Sequence, residues 1–345
     1  MLSYSEVSTM LTCGARWDLS YGGRLAGDAL TPRQTAAILS DGRAWGAAVA
    51  RFHAATGLFG PIDAHDALVK SLYADARESA ERGFDIAVED LLERQDNLGQ
   101  MLDHYMQTAE RLDGLEQLER EIAVPLPSRS GRTERGSNRY WFHCFIDGHW
   151  TSDHPWIVEF KLRDSLGPTE LIDKQPQYRW YAWARARELK WSGPVGVLID
   201  ERLKQVPLPA RIVQAKRKGE GVNGRVPSHA DQLTTVDRYD ALCQEFGIEP
   251  NPVTREALGA RTWQRRTQLI LTPSDLAEAG RELSSAAQQV RDHDSGRLWP
   301  IRNGSPAHCR GCRFKAICSE PQNSFEVNAL FERHPAKRER EPMPA

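Results

Sequence analysis

The chain has 345 residues, 40% of them hydrophobic and 27% charged, with a formal net charge of −2. Such a composition belongs to a soluble globular protein of one large domain or two ordinary ones, and it excludes a uniformly basic nucleic-acid binder. No apolar run approaches the ~20 residues of a membrane span, and MLSYSEVSTM lacks the basic start and apolar core of a signal peptide, so no membrane association and a cytoplasmic location are expected.

In chain order, residues 32–54 and 63–122 are expected to be helical, with long charged stretches such as ALVKSLYADARESAERG and LDGLEQLEREI. SRSGRTERGSNR follows, with four Arg against one Glu. YWFHCFID alternates and is rich in aromatics, which predicts a strand, and the DG that closes it is a turn signal. WIVEFKLRD is the next strand. DKQPQYRWYAWARARELK opens at Asp173 and carries Pro176, which predicts a helix with proline in its first turn. GPVGVLID and ARIVQAK read as two further strands.

Arg202 to Arg225 holds seven basic residues against one acid. Such a stripe can engage phosphates, and Lys216, Arg217 and Lys218 are its candidate DNA contacts. Either basic segment, taken alone, reads equally well as a solvated loop. RKGEGVNGRVPSH is a Gly-rich loop, SDLAEAGRELSSAAQQVRDHD an amphipathic helix, and RHPAKREREPMPA part of a tail expected to be disordered. No internal repeat is present. The expected organisation is an N-terminal helical region over residues 1–122, a mixed α/β core over 123–300, a cysteine-rich segment over 301–325 and the tail over 326–345.

WIVEFKLRD sets a problem. Side chains two apart share a strand face, so Val158, Phe160 and Leu162 form one face while Glu159 and Lys161 lie together on the other. Asp147 ends the preceding strand, and a hairpin through Gly148–Pro155 would bring it to Glu159. Adjacent carboxylates repel unless a cation neutralises them, and hard oxygen ligands suit Mg²⁺ or Mn²⁺. Lys161 beside them could position an attacking water or stabilise a phosphorane, which is the constellation for metal-assisted phosphodiester hydrolysis. The plainer reading is a solvent-facing Glu159–Lys161 ion pair.

Gln177 and Tyr181 fall at i and i+4 on the following helix, on one face. The order Asp, Glu-x-Lys, Gln-x-x-x-Tyr resembles the PD-(D/E)XK nuclease superfamily, especially its RecB-like branch. The first motif here is Ile146-Asp147 in place of Pro-Asp. The resemblance implies a restriction-endonuclease-like core, a small mixed sheet flanked by helices. It also implies that Asp147 and Glu159 hold metal, that Lys161 serves the attacking water, and that Gln177 and Tyr181 position DNA or the lysine. In the RecB-like branch an upstream helix supplies a His as a further metal ligand. GRAWGAAVARFHAATG offers His53, at a longer spacing from Gly46 than the usual pattern.

Cysteines stand at 13, 144, 243, 309, 312 and 318. Cytosolic chains rarely use disulfides, so the Cys-x₂-Cys-x₅-Cys of HCRGCRFKAIC reads as metal binding. A tetrahedral site needs a fourth ligand, for which His308, Cys243, Cys144 and Cys13 are candidates; His308 would complete a zinc site. SYSEVSTMLTCGARWDLSY resembles the N-terminus of the iron–sulfur nucleases, the group with AddB-type nuclease domains, CRISPR-adaptation nucleases and phage exonucleases. Cys13, Arg16, Trp17 and Tyr21 match its first part, and Gly14 replaces its usual proline. That resemblance implies a [4Fe–4S] cluster on Cys13, Cys309, Cys312 and Cys318, leaving Cys144 and Cys243 as single buried thiols.

These resemblances imply a Mg²⁺- or Mn²⁺-dependent DNA exonuclease acting in recombination, repair or foreign-DNA processing, most similar in style to phage-type members. No Gly-x-x-x-x-Gly-Lys-[Ser/Thr] loop is present, so unwinding would need a partner helicase, or the DNA is single-stranded or has free ends. The rival expectation is a non-catalytic nucleic-acid-binding subunit with a structural metal site, against which the intact Asp, Glu and Lys set speaks.

Overall fold

The computed structural model describes the chain apart from residues 23–27, 33–36, 55–59, 84–85, 113, 116, 128–135, 215–224, 228–232, 319–324 and 336–345. The N-terminal elements are β1 (Leu2–Ser3), α1 (Tyr4–Thr12), α2 (Gly14–Tyr21) and β2 (Ala29–Pro32), followed by α3 (Ala37–Ala54), α4 (Gly60–Glu81) and α5 (Val88–Thr108). Next come β3 (Gln117–Pro127), β4 (Gly136–Thr151), β5 (Pro155–Arg163), α6 (Pro176–Leu189) and β6 (Val195–Leu203). The chain continues through β7 (Ile212–Gln214), β8 (Arg225–Pro227), α7 (Val236–Glu245), α8 (Pro252–Gly259), β9 (Gln264–Leu271) and α9 (Pro273–Asp294). It closes with α10 (Pro306–Cys309), α11 (Phe325–Leu330) and β10 (Phe331–His334).

Two expectations need correction. The helix expected up to residue 122 stops at Thr108, and residues 117–122 open β3. Ile122, Val124 and Leu126 are all buried. Pairing with β4 and covering that period-two face with α6 and α9 outweigh the helix preference of the Leu, Glu and Arg before it. The tail expected to be disordered from 326 is structured through His334. Val327 and Phe331 are buried against Leu30 and Phe314, and β10 pairs antiparallel with β2 from Phe331↔Pro32 to His334↔Ala29.

β4 is the hub of a six-stranded mixed sheet. β3 pairs with it antiparallel along one edge. On the other edge lie β1, parallel at Leu2↔Phe142, and β5, antiparallel from Gly148↔Val158 to Thr151↔Pro155. β5 and β6 are parallel, joined through α6, and β9 pairs antiparallel with β6. A parallel pair requires such a crossover, and a helix is its usual form. α6 starts with proline at its first positions and buries residues almost all round, from Tyr178 to Ala186. α9 opens on a capping box between Thr272 and Asp275.

Both faces of the sheet are covered. One core joins α1, α6 and α9 to Ile157, Val197 and Ile199; the other joins α3, α4 and α5 to Val158, Phe160 and Leu198. This accounts for the nearly continuous apolar runs of β5 and β6. Among the described residues, no helix is long and apolar enough to cross a membrane.

Gly196 faces Trp156 across the parallel pair. A Cβ there would meet the Trp156 ring at 2.3 Å. The ring cannot swing freely, because it is stacked on Trp150 with centroids 5.1 Å apart. Gly196→Ala is therefore expected to destabilise the fold by about 1–3 kcal/mol through overpacking. Urea unfolding measures it, and an unchanged midpoint would show that the indole relocates without cost.

Candidate active site and cysteine cavity

Pairing of β4 with β5 ends at Gly148↔Val158. The next residue back along β4, Asp147, then reaches across with its carboxylate, whose Oδ2 accepts from the Phe160 backbone N–H at 2.7 Å. On β5, Lys161 Nζ donates to Glu159 Oε2 at 2.6 Å. Gln177 Nε2, from the first turn of α6, donates to the same oxygen at 3.1 Å. The hairpin and the crossover helix thus bring Asp147, Glu159, Lys161 and Gln177 together, as their order along the chain suggested.

Tyr181, one turn further along α6, shares a side-chain hydrogen bond with Gln177 and packs edge-on against Tyr4 with ring centroids 5.8 Å apart. It is buried and backs Gln177 from within. Both α6 residues therefore act on Glu159 and not directly on Lys161.

Glu159 is 1% exposed, and its second oxygen, Oε1, is buried with no hydrogen-bond partner among the described residues. Burial raises its pKa to about 8, opposed by Lys161 and reinforced by Asp147. Burial likewise raises Asp147, against Lys161 and the Phe160 N–H. Burial alone would lower Lys161, but Glu159 and then Asp147 overcome it and hold the ammonium above its ordinary value. The orphan oxygen and the second carboxylate fit a divalent ion with hard oxygen ligands, which completes its shell with waters and substrate oxygens, while Lys161 stays on the other Glu159 oxygen.

His53 does not join this group. It stacks on Phe160 with centroids 5.6 Å apart at 14°, on the face of β5 opposite Glu159. Nδ1 accepts from the Leu112 N–H at 3.1 Å, and Nε2 lies 2.8 Å from Tyr105 Oη. Tyr105 in turn donates to Asp200 Oδ2 at 2.7 Å, which Arg266 Nε also reaches at 2.6 Å. Burial first, then Arg266 and Arg111, lower the His53 pKa to about 3, so the ring is neutral. With both ring nitrogens engaged, His53 is a buried network histidine in this arrangement; the expectation that it is a metal ligand is corrected accordingly. Lys216, Arg217 and Lys218 lie outside the described residues.

Sequence reasoning passed over Glu201, which is buried and holds two arginines. Arg163 Nε donates to Oε1 at 3.1 Å, and Arg265 Nε donates to Oε2 at 3.1 Å. Arg265 Nη1 also donates to Gly167 O at 2.7 Å, tying the loop before α6 to the sheet. The signal was available, since Asp200 and Glu201 sit in an apolar strand as Glu159 does.

The cysteines divide as expected by burial. Cys144 and Cys243 are buried, and all six thiols are free. Cys13, Cys309, Cys312 and Cys318 line one cavity of about 120 Å³, together with Arg16 and His308. The two chain ends are stitched there: Asn303 N–H donates to Cys13 Sγ at 3.3 Å, and Asn303 Nδ2 to Thr12 O at 2.7 Å. Gly14 has a physical reason at this point, since a Cβ on it would lie 2.9 Å from the Ile301 nitrogen. Among the described residues, no three or more His, Cys, Asp or Glu side chains converge on a single metal position.

A family model described as the PD-(D/E)XK nuclease superfamily matches residues 1–319, a span that contains all four cavity cysteines and both carboxylates. No curated protein matches the chain. A solved structure described as "Crystal structure of SSO0001" aligns over 80% of this chain and 85% of that chain, at 12% identity and a TM-score of 0.29. Likeness at that level supports no conclusion.

Glu159 also sets a pH dependence. Its folded pKa, about 8, lies above its ordinary 4.5. The stability it contributes is fully present below the unfolded value and is lost as pH rises through the folded one. In EDTA, the melting temperature is expected to fall between these values, and Glu159→Gln to flatten the fall. Scanning calorimetry across that window checks it; parallel curves for the two proteins would contradict it.

Proposed function

The chain belongs to the PD-(D/E)XK nuclease superfamily, and from that premise we propose that it is a Mg²⁺- or Mn²⁺-dependent DNA exonuclease of the RecB-like branch. Its reacting centre is Asp147, Glu159 and Lys161. The observation that carries this reading is the buried Glu159 Oε1, which has no partner among the described residues. Such an oxygen is costly unless something completes it, and a cation shared with Asp147 would do so.

A divalent cation there would supply Lewis-acid activation of the phosphodiester and of the attacking water. The chain's own groups do the rest. Lys161 places a fixed positive charge where negative charge develops on the phosphate. Gln177 holds the Glu159 carboxylate in one orientation, and Tyr181 holds Gln177. His53 is left out of the ligand set.

The same reading assigns Cys13, Cys309, Cys312 and Cys318 to a [4Fe–4S] cluster. It is supported by the single cavity that these four thiols line. A [4Fe–4S] cluster takes four cysteine thiolates, one on each iron. Residues 123–300 then carry the nuclease core, with the cluster ligands supplied from 1–122 and 301–325. The substrate is DNA that is single-stranded or has free ends, with a helicase partner supplying any unwinding, in recombination, repair or foreign-DNA processing of the phage type.

Asp147→Ala and Glu159→Ala are expected to reduce Mn²⁺-dependent cleavage of end-labelled DNA to background without unfolding the protein. Lys161→Ala should lower the rate by about 10²–10³ with a smaller effect on metal affinity. Near wild-type cleavage by the lysine variant would remove β5 from the reacting centre.

The cluster is tested separately. Protein purified without oxygen should be brown, and Cys13→Ser should bleach it and lower its melting temperature, whereas Cys243→Ser should not bleach it. Colourless protein with stoichiometric zinc, dependent on His308 and indifferent to Cys13, would overturn the cluster and leave the nuclease reading standing.

A further inference from the structure

A cleft that the nuclease reading leaves unused lies where β6 ends and β9 begins. It encloses about 670 Å³ and is lined by His104 of α5, Arg238 of α7, and Arg261 and Trp263 ahead of β9. That volume lies within the ~300–1,000 Å³ of ordinary small-molecule sites.

Behind its wall stands a buried cation with no counter-ion among the described residues. Arg202 is 0% exposed. Its guanidinium donates only to backbone carbonyls, Trp263 O at 2.6 Å and Gln205 O at 3.4 Å, and its Nε has no partner among the described residues. Burial lowers its pKa to about 10. Buried charges are ordinarily paired, so a positive charge of this kind beside an open cleft favours an anion in it.

Two further arginines, Arg238 and Arg261, line the cleft. The Trp263 ring has Arg202 Cζ at 5.5 Å and Arg261 Cζ at 5.7 Å from its centroid. Arg261 makes a cation–π contact there, and no carboxylate pairs with it among the described residues. Arg238 commits Nη1 to the Pro207 carbonyl. His104 Nδ1 is buried and has no partner among the described residues. Burial, then Arg202 and Arg238, hold that imidazole at about 4, so it is neutral and can donate through one ring nitrogen. Asp103 and Asp237 also line the cleft, but both are exposed, and Asp103 is taken by His65 at 2.8 Å.

We propose that this cleft binds the phosphate ester of a nucleotide, with Arg238, Arg261 and His104 as donors to the phosphate. The amides of Gln100, Gln107 and Gln264 line the remaining space and can meet a sugar or base. The nucleotide is either free or one unit of a strand. The register Leu162↔Arg202↔Gln264 places the cleft at the same end of the sheet as Lys161, on the opposite face. The strand form rests on the nuclease reading, and the free-nucleotide form does not.

The test is calorimetric titration of the full chain in EDTA with dAMP and, separately, with a short oligothymidylate. Binding of dAMP identifies a free-nucleotide site; binding of the oligomer alone identifies a strand site. In either case Arg261→Gln and Arg238→Gln should each weaken binding by about tenfold. For the oligomer, each lost phosphate contact should lower the log–log salt slope by roughly 0.7. No binding of either ligand, or arginine variants that bind like wild type, would overturn the proposal. The site variants should keep the wild-type melting temperature, which separates lost binding from lost fold. Because EDTA removes divalent ions and no cleavage is read, failure here is independent of the fate of the nuclease reading.

Discussion

Glu159 stands in a strand covered on both faces, with one carboxylate oxygen held by Lys161 and Gln177 and the other buried without a donor among the described residues. Taking such a charge out of water costs several kcal/mol unless partners compensate it. The surrounding architecture can be read as the means of holding it there. The β4–β5 pairing stops one residue short of Asp147, which frees that carboxylate to fix the Phe160 backbone. The crossover helix begins with proline, so that its first turn presents Gln177 to the strand. Glu201 anchors Arg265, and Arg265 anchors the loop that delivers the helix.

The two central strands carry three buried acids, and their different endings are instructive. Asp200 faces α5 and is closed by Tyr105 and Arg266. Glu201 faces the other way and is closed by Arg163 and Arg265. At Glu201 the two guanidinium groups take one oxygen each, whereas at Asp200 Tyr105 and Arg266 both donate to Oδ2. Glu159 instead has an ammonium, a compact point charge that reaches one oxygen and leaves the other bare.

Much of this was legible in the sequence because the informative signals are local. Alternation in WIVEFKLRD placed Glu159 and Lys161 on one face, a short hairpin brought Asp147 near, and helical spacing set Gln177 and Tyr181 together. β3 was hidden because its opening residues are good helix formers and its strand signal lies in Ile122, Val124 and Leu126, whose burial depends on β4. His53 misled for the opposite reason. Its helix was correctly placed, but which sheet face that helix covers is a tertiary fact that no spacing encodes. The pairing of β10 with β2 was likewise out of reach, since only the packing of Phe331 on Phe314 and Leu30 gives the C-terminal segment a reason to order.

The stitching of the two chain ends has a consequence for synthesis. Cys13 and Ile301 touch although 288 residues separate them. At ~5–20 residues per second, a ribosome needs roughly 15–60 s to make what lies between. During that interval β1 can already find β4, which arrives about halfway, so the sheet can begin to form while Cys13 still lacks its wall. The cavity is complete only after the last of its cysteines has emerged, by which time the sheet can already be folded. A message broken before Cys309 would still encode the acid–lysine strand, but its product could never close around the first thiol.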